Sequence, residues 1–335
     1  MVKIGTGNTF EYIATEIDSK FGVGMIQYFE SFKIKWEWSR TDNELGEWFE
    51  AGISENIVYV TLNKPVKENP GSGYSHYLTL IHVGCKYGDK AVSNSELVAE
   101  VWSYFERRQV CRADGELLKY YGQWSNGNLG VDTQELLTSK DGICTSWAKI
   151  LLDVFKIQGF QELDNLVNVR GYCGYPNSIK EGFFIKNWQE NPPGTSGDAN
   201  FPYENIKNTP FYFSNNTYNW LTQEVSFVSS LPAQNNYNCV SDFTNHVFTR
   251  IMGGFYDPSY GVKYGNPGSA LIPDPQDPNN EIMVQTIPDF DNNALSAFYY
   301  IDIDNPNIYL IQMKTSPMVS FIFINPSPSP ELDDY

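Results

Sequence analysis

From residue 32 the chain reads Phe-Lys-Ile-Lys-Trp-Glu-Trp, which sends Phe32, Ile34, Trp36 and Trp38 to one side and Lys33, Lys35 and Glu37 to the other. A period of two with one apolar side is the pattern of a half-buried strand. Residues 56–62 (NIVYVTL) and 77–83 (YLTLIHV) are further β-like runs. Between them lies the Gly- and Pro-bearing stretch KPVKENPGSGYS, which reads as a loop. Together these segments predict a small antiparallel, all-β unit over residues 1–90, whose apolar side must be covered by a later part of the chain.

The period changes near residue 93. Ser93 and Glu96 have capping-box spacing, and Leu97, Val98, Val101, Trp102 and Phe105 then recur at helical intervals, predicting an amphipathic helix to about residue 109. A second helix comes after the breaker pair Asp141-Gly142, with Ala148, Leu151, Leu152 and Phe155 on one face, Gly159 as its stop and Cys144 at its start. Residues 166–175 and 181–188 are strand-like. The roughly 50 residues after them are rich in Asn, Pro, Tyr and Phe and have little period, which suits a binding loop or lid, with disorder as the alternative. HVFTRI, MGG and FYDP then predict a hairpin with a loop of about four residues, and three more strands are expected near 296–303, 307–314 and 317–324. The Pro-, Ser- and acid-rich tail, 326–335, reads as disordered. Strands, helices and strands in succession predict an α+β chain with a second domain over residues 91–325.

Composition narrows the range of functions. With 23 Lys and Arg against 40 Asp and Glu in 335 residues, the net charge is −17. No basic run offers the counterion release on which phosphate backbones and anionic bilayers depend, so nucleic acid and membrane surfaces are not expected partners. A chain that is 41% hydrophobic and 15% aromatic can bury a large core. No segment reaches the ~18 apolar residues of a membrane span, and the start of the sequence shows no basic segment followed by an apolar one; a soluble protein is expected, with its compartment left open. The five cysteines, Cys85, Cys111, Cys144, Cys173 and Cys239, are odd in number and widely spaced, which is neither a disulfide framework nor a zinc site. Cys239, seven residues before His246, has no further ligands at metal spacing, and no Gly-rich phosphate loop occurs, so neither metal nor cofactor is expected.

Three histidines are available as a general base: His76 in the Gly/Ser/Tyr loop, His82 in an apolar run where a histidine is ordinarily structural, and His246. His246 opens a strand whose hairpin partner carries Asp257. Antiparallel pairing sets that carboxylate opposite or diagonal to the imidazole on one face. A carboxylate on one imidazole nitrogen fixes the tautomer and leaves the other nitrogen to exchange a proton with a nucleophile. Cys144 is placed for that part, because a helix start favours a thiolate and its unpaired N–H groups can receive an oxyanion. Each feature has a structural alternative: buried thiols act as small hydrophobes, and Asp-Pro is a common turn. The order of the three, each in the local structure its role needs, points to a Cys-His-Asp site.

The run Gly142-Ile143-Cys144-Thr145-Ser146-Trp147-Ala148, continuing KILLDVFKIQGF, resembles the nucleophile helix of transglutaminase-like enzymes, where G-x-C-x-x-x-A leads into a Leu-rich helix. Asn245-His246-Val247 followed by Tyr256-Asp257-Pro258-Ser259-Tyr260-Gly261 resembles that family's His strand and Asp-Pro strand. The resemblance covers about residues 90 to 325. It implies a papain-like core with the nucleophile helix packed on an antiparallel sheet. In that core Cys144 is the nucleophile, His246 the general acid/base and Asp257 its orienter. The His-to-Asp hairpin is shorter than in many members and the Cys-to-His segment is long. Family members often add an oxyanion donor from the chain before the nucleophile; Trp124 is the candidate here, with Gln123 as the amide alternative and a buried core tryptophan as the structural one. Gln234 and Asn235 in AQNNYN, and Asn245 beside the histidine, are candidates for the cleft wall, solvated turn chemistry being the alternative for the AQNNYN loop.

The activity so implied is acyl transfer on amides through a thioester, on a protein or peptide substrate and with an amine as possible co-substrate. Resolution by an amine gives transamidation, and resolution by water gives deamidation or peptide hydrolysis; the residues leave all three open. Such domains also occur in bacterial effectors and toxins. A competing reading is a transglutaminase-fold protein that binds or supports structure without catalysis. A further one makes the N-terminal unit, with Trp36, Trp38 and Trp48, a binding module.

Overall fold

A computed structural model of the chain describes residues 24–39, 48–66, 77–121, 130–160, 166–172, 178–185, 211–214, 220–223, 231–239, 242–243, 245–274, 279–302, 309–313 and 321–324. The fold is α+β. It divides into two compact units, Met1–Trp102 with Val154–Gln161, and Ser103–Asp153 with Glu162–Tyr335.

In the first unit the alternating run lies within strand Gln27–Ser39, which pairs antiparallel with Trp48–Val60 and sets Phe32 opposite Asn56 and Trp36 opposite Gly52. The expected strand at 77–83 is instead the start of helix Leu78–Tyr87, so this unit is not all-β. Its buried positions are Thr79, Leu80, Val83, Gly84 and Cys85, two clusters about one helical turn apart on one face. A continuous apolar run carries no period of two to exclude that outcome. His82 lies on this helix, half-buried, with Nδ1 at 3.1 Å from the Tyr59 hydroxyl and its ring edge-on to Tyr28. Burial lowers its pKa from 6.5, Lys86 lowers it further, and Glu30 opposes both. Helix Asn94–Glu106 begins where expected. The Ser93 hydroxyl accepts from the Glu96 N–H at 3.3 Å, and the Glu96 carboxylate accepts from the Val92 N–H at 2.9 Å, one residue outside the usual capping box.

The second unit holds two large sheets. One is fully antiparallel, in the order Val262–Tyr264, Gly254–Asp257, His246–Ile251, Leu166–Tyr172, Phe321–Ile324, Glu281–Thr286, Gly268–Pro273. The other runs Asp242–Phe243, Ser178–Ile185, Leu295–Asp302, Tyr309–Met313, Phe211–Ser214, Trp220–Gln223, with one parallel contact between Tyr309–Met313 and Phe211–Ser214. The three C-terminal strands therefore form, but the last joins a different sheet from the first two. Helices Thr133–Ser139 and Pro288–Asn293 and strands Val262–Tyr264, Gly268–Pro273 and Glu281–Thr286 add to the expected set. Within the irregular stretch, strands Phe211–Ser214 and Trp220–Gln223 are present. The tail 326–335 and most of that stretch lie outside the described residues.

Helix Cys144–Ile157 is buried nearly all round, with Trp147, Ala148, Leu151 and Phe155 inaccessible and Lys149, Asp153 and Lys156 forming one half-exposed polar stripe. Among the described residues no helix is long and apolar enough to cross a membrane, and no cluster of His, Cys, Asp or Glu could hold a metal ion.

Candidate functional site

The thiol arm is set by a close approach of backbones. Strand residues Lys119 and Tyr120 pair parallel with Asp141 and Gly142, and the Tyr121 N–H donates to the Gly142 carbonyl at 3.2 Å. Gly142 has no room for a side chain, since a Cβ there would meet the Ser146 hydroxyl, Leu136 Cδ1 at 3.0 Å and the Gly130 carbonyl at 3.1 Å. Helix Cys144–Ile157 starts immediately afterwards. Its first bond runs from the Trp147 N–H to the Ile143 carbonyl at 3.2 Å, so the N–H groups of Cys144, Thr145 and Ser146 lead the helix with no acceptor inside it. Trp147 Nε1 donates to the Lys119 carbonyl at 3.3 Å, which fixes the helix start to the strand before it.

The imidazole arm is a tight hairpin. Thr249 faces Tyr256 and Ile251 faces Gly254. The loop is therefore two residues, Met252 and Gly253, rather than about four. Both have positive φ, 50° and 81°, as a turn that matches the strand twist requires. Continuing the register sets Asp257 diagonal to His246 on one face. The two side chains meet there: His246 Nε2 lies 2.9 Å from Asp257 Oδ2, with both side chains 0% exposed. Asp257 Oδ1 accepts from the N–H groups of Ser259 and Tyr260 at 3.1 and 3.4 Å, so the turn after Asp257 aims the carboxylate. His246 stands on an interior strand, paired through Val169 to Leu166–Tyr172 on its other side.

With Nε2 on Asp257, the nitrogen left for another partner is Nδ1, which is buried and lacks a hydrogen bond of ordinary geometry among the described residues. Cys144, 6% exposed, is the other group that influences the ring's titration. Burial is the largest single influence on the imidazole and favours its neutral form. The Asp257 charge and hydrogen bond, and after them the interaction with Cys144, together outweigh it and raise the pKa to about 10. Around the ring are Phe243 at 4.5 Å, Phe248 at 5.1 Å edge-on and Tyr260 at 5.8 Å between centroids, and Tyr120 packs on Tyr260 at 5.3 Å. These aromatic neighbours were not among the expected site residues. Tyr260 alone has a local signal, its place after Asp-Pro-Ser.

The other candidates separate. Gln234 is completely buried, and its amide bonds to backbone carbonyls and an N–H rather than facing a cleft. Asn235, at φ 49°, likewise donates to the Val110 and Leu118 carbonyls at 2.7 and 2.6 Å. Asn245 is half-buried beside His246. Gln123, Trp124, His76 and Cys173 lie outside the described residues. The described cysteines are all free thiols. Burial pushes Cys85 up to about 11 and Cys239 well above its ordinary value, so neither is a ready nucleophile. Comparison with family models, curated proteins and solved structures finds no match for this chain. The functional reading therefore rests on the residues themselves.

Proposed function

We propose that this chain is a cysteine-dependent enzyme of amide chemistry, a transglutaminase-like acyltransferase or hydrolase with a papain-like core. The observation that carries the reading is a buried imidazole held by Asp257 on Nε2, with its Nδ1 unbonded among the described residues and the helix-start Cys144 among the groups that act on the ring. The Cys144 sulfur attacks the amide carbonyl carbon. The tetrahedral oxyanion is received by N–H groups at the helix start, a kind of donor whose removal typically costs about 10²–10³ in rate. His246, protonated in the resting site, gives its proton to the nitrogen of the breaking C–N bond, and the amine leaves. The thioester is then resolved by an amine or by water, whose proton returns to His246.

A protein with exposed glutamines, incubated with a labelled primary amine while ammonia and new N-termini are followed in parallel, tests the reading. Amine incorporation, ammonia release alone or new N-termini identify transamidation, deamidation or proteolysis. If all three are absent, or persist unchanged in Cys144→Ala, the reading fails. A non-catalytic binding role is favoured by one observation, the near-complete enclosure of Cys144, His246 and Asp257. It requires that Cys144 react with iodoacetamide no faster than Cys111.

A further inference from the structure

Gln234 is tied in five directions. Its side-chain Nε2 donates to the Phe105 carbonyl at 2.8 Å and to the Pro258 carbonyl at 2.7 Å, and Oε1 accepts from the Val110 N–H at 3.4 Å. Its own N–H donates to the Ser259 carbonyl at 2.9 Å, and its carbonyl accepts from the Tyr120 N–H at 3.0 Å. On one side these bonds hold Pro258 and Ser259, in the turn whose Ser259 and Tyr260 N–H groups grip Asp257 Oδ1. On the other side the main-chain carbonyl holds Tyr120, which pairs with Gly142, two residues before Cys144. The turn has no slack toward Phe105: Gly261, at φ +64°, would bring a Cβ to 2.8 Å from the same Phe105 carbonyl that Gln234 bonds. Without the Nε2 donor the Pro258 carbonyl loses its side-chain partner and the Phe105 carbonyl keeps only the Arg108 N–H at 3.0 Å, so the side-chain tie that holds the turn to Phe105 is gone.

We propose that Gln234 is a positioning residue whose side chain sets the separation of the Cys144 sulfur from the His246 imidazole by holding the Asp257 turn, while its main-chain carbonyl, which the variants below retain, keeps Tyr120 beside Gly142. The proposal rests on the reading of Cys144, His246 and Asp257 as the reactive set. It gives Gln234 a function at that set without contact with substrate.

The test uses the full chain carrying Gln234→Met, which keeps the length but no polar atom, and Gln234→Glu, which keeps the length and an acceptor but loses the paired donor. Three quantities are measured for each: the imidazole NMR titration of His246, the iodoacetamide rate at Cys144 resolved by mass spectrometry, and the melting temperature. The expected result is a folded protein whose His246 midpoint falls by at least about one pH unit and whose Cys144 rate falls about tenfold, the equivalent of one well-made buried hydrogen bond. A folded variant with a lower melting temperature but unchanged titration and rate overturns the proposal, because simple packing loss moves only the melt. Failure of both variants to fold also overturns it, as the mark of a purely structural residue. Failure of the underlying reading looks different: Cys144 of the unaltered protein then reacts no faster than Cys111, whatever stands at 234.

Discussion

Replacing Asp257 by Asn isolates the charge of the buried pair. Asn keeps Oδ1, and with it the Ser259 and Tyr260 N–H bonds at 3.1 and 3.4 Å, but puts an amide nitrogen where Oδ2 lies 2.9 Å from His246 Nε2. Breaking a fully buried ion pair costs about 3–5 kcal/mol, and the retained turn places this substitution at about 3. The cost depends on pH in a definite sense. The folded-state pKa of His246, about 10, lies above the ordinary 6.5, so the pair's contribution is complete below about pH 6.5 and is lost as pH rises through about 10. Thermal melts of Asp257→Asn and the unaltered protein at pH 6 and above pH 10 measure the difference, and titrations common to both proteins cancel. At roughly 2–4 °C per kcal/mol for a unit of this size, the gap is expected to be about 6–12 °C at pH 6 and about 2–4 °C above pH 10, where a neutral hydrogen bond remains. A gap that is constant with pH, or that widens as pH rises, refutes the reasoning.

Three further outcomes are expected. Gly142→Ala forces a Cβ against Leu136 and the Gly130 carbonyl and should destabilise the second unit by about 1–3 kcal/mol by denaturant melt; an unchanged midpoint would mean the backbones there are not closely packed. His82 should lose its proton below pH 6.5 by imidazole NMR, and Lys86→Ala should raise that midpoint, since Lys86 acts after burial to lower it; a midpoint above 6.5 would contradict its half-buried setting. Trp147→Phe removes the indole donor to Lys119 from an inaccessible site and should cost about 1–3 kcal/mol, while an iodoacetamide rate at Cys144 that also falls would show that the helix start has moved.

The pairing of His246 with Asp257 was more legible than much of the fold. His246 and Asp257 meet through a hairpin, so their pairing comes from local spacing, and the Gly-x-Cys run marks the helix start that the backbone contacts at Gly142 require. Gln234 was visible only as an amide near the histidine; its partners Phe105, Val110 and Pro258 are assembled by the fold and leave no local trace. The same holds for Tyr120 and Phe243 around the imidazole. Helix Leu78–Tyr87 was hidden because its face and its neighbours are equally apolar. Helix Thr133–Ser139 did carry a signal, Asp132 three residues before Glu135, with the Asp132 side chain accepting from the Glu135 N–H at 2.8 Å, but its seven residues are too few for a period to emerge. Strand Glu281–Thr286 buries only Val284 and Thr286, so its polar content disguised it.

The two-residue hairpin also bears on how a charged pair comes to lie in an apolar interior. Hairpins close in about 1–10 μs, whereas contacts spanning a hundred residues, such as Tyr120 to Gln234, carry about 2 kcal/mol more loop-closure cost. His246 and Asp257 are therefore expected to meet while still surrounded by water, and the aromatic shell to close over a pair already made. The interior then never has to admit either charge alone, and the order of assembly, as much as the final geometry, makes so enclosed a pair reachable.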